Sequence, residues 1–263
     1  MRRALALVVV FLVSAAAPAW SADPPRLPAG FEAGETLRVE RVIDGDSLVL
    51  ADGRSLRMVG IQAPKLAKGR GFADWPLSHE AAAALQSLIG GEAVTLHYGG
   101  ARSDRSGRVL AHLTRADGLW LEGELLRQGL ARVYTFPDNR RGAPAMLALE
   151  REARDARRGL WADPFYAVRT PADAPQHLGS FELVEGRVVE AARVRDTVFL
   201  NFGSDWRTAF TVRLRAEAVD LCRAVGFDPL ALKGTQVRVR GYIRRDHERA
   251  LMDVSHPEAI ERL

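Results

Sequence analysis

Asp44 and Asp46 stand either side of Gly45 in the run VIDGDS, where the chain must turn sharply, and Arg57 follows downstream. Carboxylate oxygens suit a hard divalent cation, and a planar guanidinium can grip a phosphate through two parallel hydrogen bonds. An acid pair facing an arginine at the mouth of a small sheet is therefore equipment for holding a metal ion and a phosphate. The competing reading is a purely structural ion pair, Arg57 with Asp44 or Asp46, and Arg108 with Asp104.

These residues need strands and turns to position them. Apolar and polar residues alternate through Val39, Val42, Leu48, Leu50, Leu56, Met58 and Ile61, the period of half-buried strands. Turns at Asp44-Gly45 and Asp52-Gly53 divide residues 37–65 into three strands. A glycine-containing run without period, residues 66–76, reads as a loop beside the site. A helix follows over 78–89, with Ser78 as its N-cap and Gly90-Gly91 as its stop. Residues 92–98 and 108–113 read as two more strands joined by the turn at 103–107. Five strands with a helix between the third and fourth is the order of an OB-type barrel. A short helix over 121–128 and a longer one over 144–158 complete the unit, the latter turning Met146, Leu149, Ala153 and Ala156 inward.

The runs VIDGDS, RMVGIQAPK, DRSGRVLAHL, LLRQGLARV and GLW, in this order and spacing over residues 35–161, resemble the staphylococcal-nuclease (thermonuclease) family. The resemblance implies an OB-fold in which calcium and two arginines hold a DNA or RNA phosphodiester while a glutamate acts as general base. It places the first metal carboxylate at Asp46, with Asp44 also in the motif, and the arginines at Arg57 and Arg108. Arg105 lies in the same turn as Arg108, and Tyr134 and Phe136 fall where the family has aromatics bordering its nucleotide pocket.

Two positions depart from the family. Where its pattern reads aspartate-threonine-proline-glutamate, this chain has Gln62-Ala63-Pro64-Lys65. Gln62 offers a neutral oxygen in place of the second calcium carboxylate, and Lys65 puts an amine where the base belongs. Calcium affinity follows the number of carboxylates supplied, and loss of a positioned base removes on the order of 10² to 10⁴ in rate. For Lys65 to serve as base instead, its pKa would have to fall by about three units. The expectation is a calcium or other divalent site that is weak or lost, with no cofactor the favoured outcome. Calcium-dependent cleavage is then lost and binding of nucleic acid or phosphodiesters is retained. Two alternatives stay open: an active metal-dependent endonuclease with a rearranged site, and a non-catalytic envelope scaffold.

The chain has 263 residues, 37 basic against 33 acidic, so composition alone neither demands nor excludes a nucleic-acid partner. Residues 1–22 read as a secretory signal: Arg2 and Arg3, an apolar run, then small residues at Ala19 and Ser21. A periplasmic or secreted protein with no integral membrane segment after cleavage is expected. Cys222 is the single cysteine, which rules out an internal disulfide and suits a packing role. Residues 162–179 carry Pro164, Pro171 and Pro175 and read as a linker. Residues 180–263 repeat the strand-strand-strand-helix-strand-strand order without a DGD motif, so a second OB-like barrel without a metal site is expected. Arg238, Arg240, Arg244 and Arg245 there either line a nucleic-acid path or form a solvated face, the second being favoured. The whole is a mainly β chain with helices, of the α+β class.

Overall fold

The computed structural model describes residues 23–67 and 73–263. The signal-peptide expectation for residues 1–22 and the centre of the loop, residues 68–72, lie outside the described residues.

The first unit is β1 (Glu32–Asp44), β2 (Ser47–Leu50), β3 (Ser55–Met58), β4 (Ile61–Gln62), α1 (Ser78–Ile89), β5 (Ala93–Tyr98), β6 (Val109–Thr114), α2 (Leu121–Arg127), β7 (Arg132–Val133) and α3 (Ala143–Asp155). Five strands close into a barrel in the order β1-β2-β3-β6-β5, with β3 and β6 parallel and the other pairs antiparallel. The alternation read in the sequence fills its interior with Leu48, Leu50, Leu56, Met58, Leu96 and Leu113, and α1 and α2 seal it with Leu85, Ile89, Leu121 and Leu125. The turn between β1 and β2 is drawn tightly inward at Gly45. A Cβ there would stand 2.6 Å from that of Ala63 and 2.7 Å from that of Ala81.

Helix α1 departs from expectation at its start. Leu77, left-handed at φ 65°, occupies the N-cap, and Ser78 is already the first helical residue. The Ser78 amide bonds Trp75 O at 3.1 Å, so a tight backbone turn, not a serine side chain, launches the helix. The buried Ser78 hydroxyl has no hydrogen-bond partner among the described residues.

The second unit is β8 (Phe181–Arg187), β9 (Glu190–Val194), β10 (Thr197–Asn201), β11 (Thr211–Leu214), α4 (Ala216–Ala224), β12 (Gln236–Asp246), β13 (Arg249–Val254) and β14 (Ile260–Arg262). Its strands pair in the order β9-β10-β11-β13-β12-β8, with β11 and β13 parallel. Only Val188 and Val189 separate β8 from β9. Val188 exchanges bonds with Thr235 O and Gly234 N at 3.0 and 2.8 Å, while the Val189 amide reaches Asn201 O at 2.8 Å. One bent strand thus joins both ends of the path, and the ring repeats the pairing order of the first barrel. A separate core including Val198, Leu200, Val212, Leu214, Val237 and Ile243 fills it, with Cys222 buried among them.

Residues 162–179 do not hang free between the barrels. The Arg169 amide bonds Leu183 O at 2.8 Å, Glu185 N returns to Arg169 O at 2.9 Å, and the Tyr166 hydroxyl donates to Pro76 O at 2.7 Å. Arg240 is also not on a solvated face. It is 3% exposed and donates to Glu150 at 3.1 and 2.8 Å, to Glu261 at 2.5 Å and to Val133 O at 3.2 Å. A buried guanidinium needs acids around it, and α3 of the first unit supplies one of them. Among the described residues no helix is long and apolar enough to cross a membrane.

Candidate functional site

The β1–β2 turn places Asp44 and Asp46 at one end of the first barrel, and the register Ser47↔Arg57 sets Arg57 beside them on β3. The Asp46 amide bonds Asp44 Oδ1 at 3.0 Å, which fixes the turn and aims both carboxylates the same way. Asp46 is fully buried and every direction around it is occupied. Oδ1 accepts from the Ser47 hydroxyl at 2.9 Å, Oδ2 accepts from the Ala63 amide at 2.7 Å, and the Arg57 guanidinium pairs with Oδ1. The second guanidinium nitrogen of Arg57 donates to Ile61 O at 2.9 Å, locking the side chain across the site.

Lys65 closes the arrangement. Its Nζ donates to Asp46 Oδ1 and Oδ2 at 2.5 and 2.6 Å and to Asp44 Oδ2 at 3.3 Å, with 28% of the side chain still open to solvent. Burial opposes the charge on Asp46, but Arg57 and Lys65 outweigh it and hold the carboxyl well below the usual range. Asp44 moves the other way: burial first, then the neighbouring Asp46 charge, raise it, with Lys65 pulling against them. Two acids against two cations leave the cluster near neutrality.

Gln62 does not face this cluster. Its Oε1 accepts from Arg132 at 2.8 Å, and Arg132 donates in turn to Phe181 O at 3.1 Å at the start of the second barrel. Arg108 is equally occupied: its Nε and amide bond Asp104 at 2.7 and 3.0 Å, and none of its bonds among the described residues runs to Asp44 or Asp46. For Arg108 the structural ion pair is the arrangement present, and Arg105 stands exposed in the same turn. Tyr134 is bound to the site through its amide, which donates to Gly60 O at 2.8 Å. Its ring packs edge-on against Phe136 at 4.8 Å and Phe181 at 4.9 Å, while Phe136 is 49% exposed.

Donor chemistry decides what these residues can hold. Calcium asks for six to eight oxygens, several of them anionic. Both oxygens of Asp46 are bonded to N–H or O–H groups, Gln62 points to Arg132, and an ammonium stands between the acids. The residues present do not fit a calcium ion. Arg132 was not legible as a site residue; the only signal was a charge among the apolar neighbours Leu130, Ala131 and Val133.

A family model described as staphylococcal nuclease homologue matches residues 55–163. An uncharacterized endonuclease of Escherichia coli is 34% identical over 129 residues, 48% of this chain and 76% of that protein. The thermonuclease of Staphylococcus hyicus is 28% identical over 132 residues, covering 49% and 77% respectively. A probable staphylococcal-like nuclease of Oryza sativa subsp. japonica is 35% identical over 117 residues, 44% of this chain and 28% of its own length. With the five-stranded barrel, the DGD turn and Arg57 already in place, these matches settle kinship: the chain belongs to the staphylococcal nuclease homologue family.

Proposed function

We propose that this is an exported member of the nuclease family that binds nucleic acid or phosphodiesters and no longer cleaves them with calcium. One observation carries the loss of cleavage: the Lys65 ammonium donates to both oxygens of Asp46 at 2.5 and 2.6 Å. An amine in that place repels a divalent cation and cannot take a proton from water while it stays charged. Asp74, an acid close in sequence, is committed to the Ala67 amide and His79. Binding is supported by four cations, Arg57 and Lys65 at the acid pair and Arg105 and Arg108 in the turn before β6, and by the exposed Phe136 ring. Export rests on residues 1–22, and a two-barrel division on the two separate cores.

The test is a plasmid-degradation assay with calcium, magnesium, manganese or chelator, run beside retention of labelled single-stranded DNA across a salt series. No metal-dependent cleavage is expected, and retention should weaken steeply with salt. Metal-dependent cleavage that Asp46→Ala abolishes would restore the active endonuclease. Absence of retention at low salt would leave an envelope scaffold.

A further inference from the structure

Between the two barrels lies a cavity of about 210 Å³, floored by Arg240 and walled by Tyr134 and Phe136 from the first unit and Phe181, Tyr242 and Arg244 from the second. Neither unit forms it alone. The rings stand edge to face: Tyr134 to Tyr242 at 6.3 Å and Phe181 to Tyr242 at 5.8 Å. Phe136 and Tyr242, each 49% exposed, are the most solvent-open of the rings that line it.

Strand β12 explains the composition. Side chains alternate across a strand, so Arg240, Tyr242 and Arg244 share one face while Ile243 enters the barrel core. Along that face the chain passes from a buried ion cluster, through a half-open ring, to a guanidinium that is 46% exposed. Asp253 is the acid that faces Arg244, and Arg213 holds it as well, at 2.6 and 3.2 Å. Two guanidiniums around one carboxylate leave the rim positive. Large π-faces beside surplus guanidinium are the requirements of an unpaired base and its phosphate, and a base stacked inside a duplex could not present its face to Phe136 and Tyr242.

Resting on the nucleic-acid reading above, we propose that the C-terminal barrel supplies half of a single-strand cleft: one unpaired base enters between Phe136 and Tyr242, and Arg244 meets the adjoining phosphate.

The test uses the full mature chain and fluorescence anisotropy with a labelled oligothymidylate and a duplex of the same length. Wild type should prefer the single strand. Tyr242→Ala should weaken single-strand binding by about tenfold or more and leave duplex binding unchanged. Arg244→Ala should lower the slope of log affinity against log salt by about 0.7. Both side chains are half-exposed, so circular dichroism should show the variants folded. If wild type binds while Tyr242→Ala, Phe136→Ala and Arg244→Ala all bind like it, the cleft is wrong and the nucleic-acid reading survives. If wild type binds no oligonucleotide at low salt, both fall.

Discussion

Replacing Lys65 by glutamate together with Gln62→Asp should convert the acid pair into a calcium site. In the wild type a divalent ion between Asp44 and Asp46 would stand about 4 Å from the Lys65 ammonium, a repulsion of roughly 8 kcal/mol at an effective dielectric near 20, before screening. A micromolar site is worth about 8 kcal/mol, so one ammonium is enough to cancel it. Removing the amine lifts that repulsion, frees both oxygens of Asp46 from Nζ and adds a carboxylate at position 65, while the carboxylate at position 62 joins the set only by turning away from Arg132. Calorimetric titration of the double variant should show calcium binding that wild type lacks. At calcium about 100-fold above Kd the gain in stability is about 2.7 kcal/mol, or roughly 5 to 10 °C in Tm for a chain of this size. The reasoning is refuted if wild type already binds calcium at micromolar levels. It is refuted equally if the double variant, folded by circular dichroism, takes up none.

Three further outcomes are expected. Arg240→Met leaves Glu150 and Glu261 buried with fewer cations, so denaturant unfolding should show a loss of about 3 kcal/mol; a loss below about 1 kcal/mol would mean the cluster holds little. Burial pushes the Glu122 carboxyl up to about 8 from its ordinary 4.5. The folded state therefore keeps a proton the unfolded state releases, and stability should fall between those two pH values by up to about 1.4 kcal/mol per unit. Glu122→Gln should flatten that fall in thermal melts taken from pH 5 to 8, and parallel profiles would contradict it. Gly45→Ala forces a methyl against Ala63 and Ala81, so Tm should drop by an amount corresponding to about 1 to 3 kcal/mol; an unchanged Tm would show that the turn can yield.

The first barrel was readable because its strands alternate and its turns carry Asp-Gly pairs, signals that depend only on neighbours in sequence. The same holds for the second ring, whose long strand β12 alternates from Val237 to Ile243. The site was readable in its residue types: Asp44, Asp46, Arg57 and Lys65 do meet. What the sequence withheld were partners fixed by distant segments. Gln62 turns to Arg132, and Arg240 is drawn to Glu150, ninety positions away in the chain. Ser78 illustrates the opposite error: a good capping residue lost its place because the backbone turn at Trp75 starts the helix one residue earlier than a serine cap would.

The stitched crossing between the barrels has a consequence for where this chain can be cut. Similarity to the family model stops at residue 163, yet folding does not. A fragment severed there would carry Glu150 outward without the guanidinium of Arg240 and would strip Arg132 of its bond to Phe181. The seam lies inside a shared electrostatic knot, so the ancestral border and the physical one fall in different places.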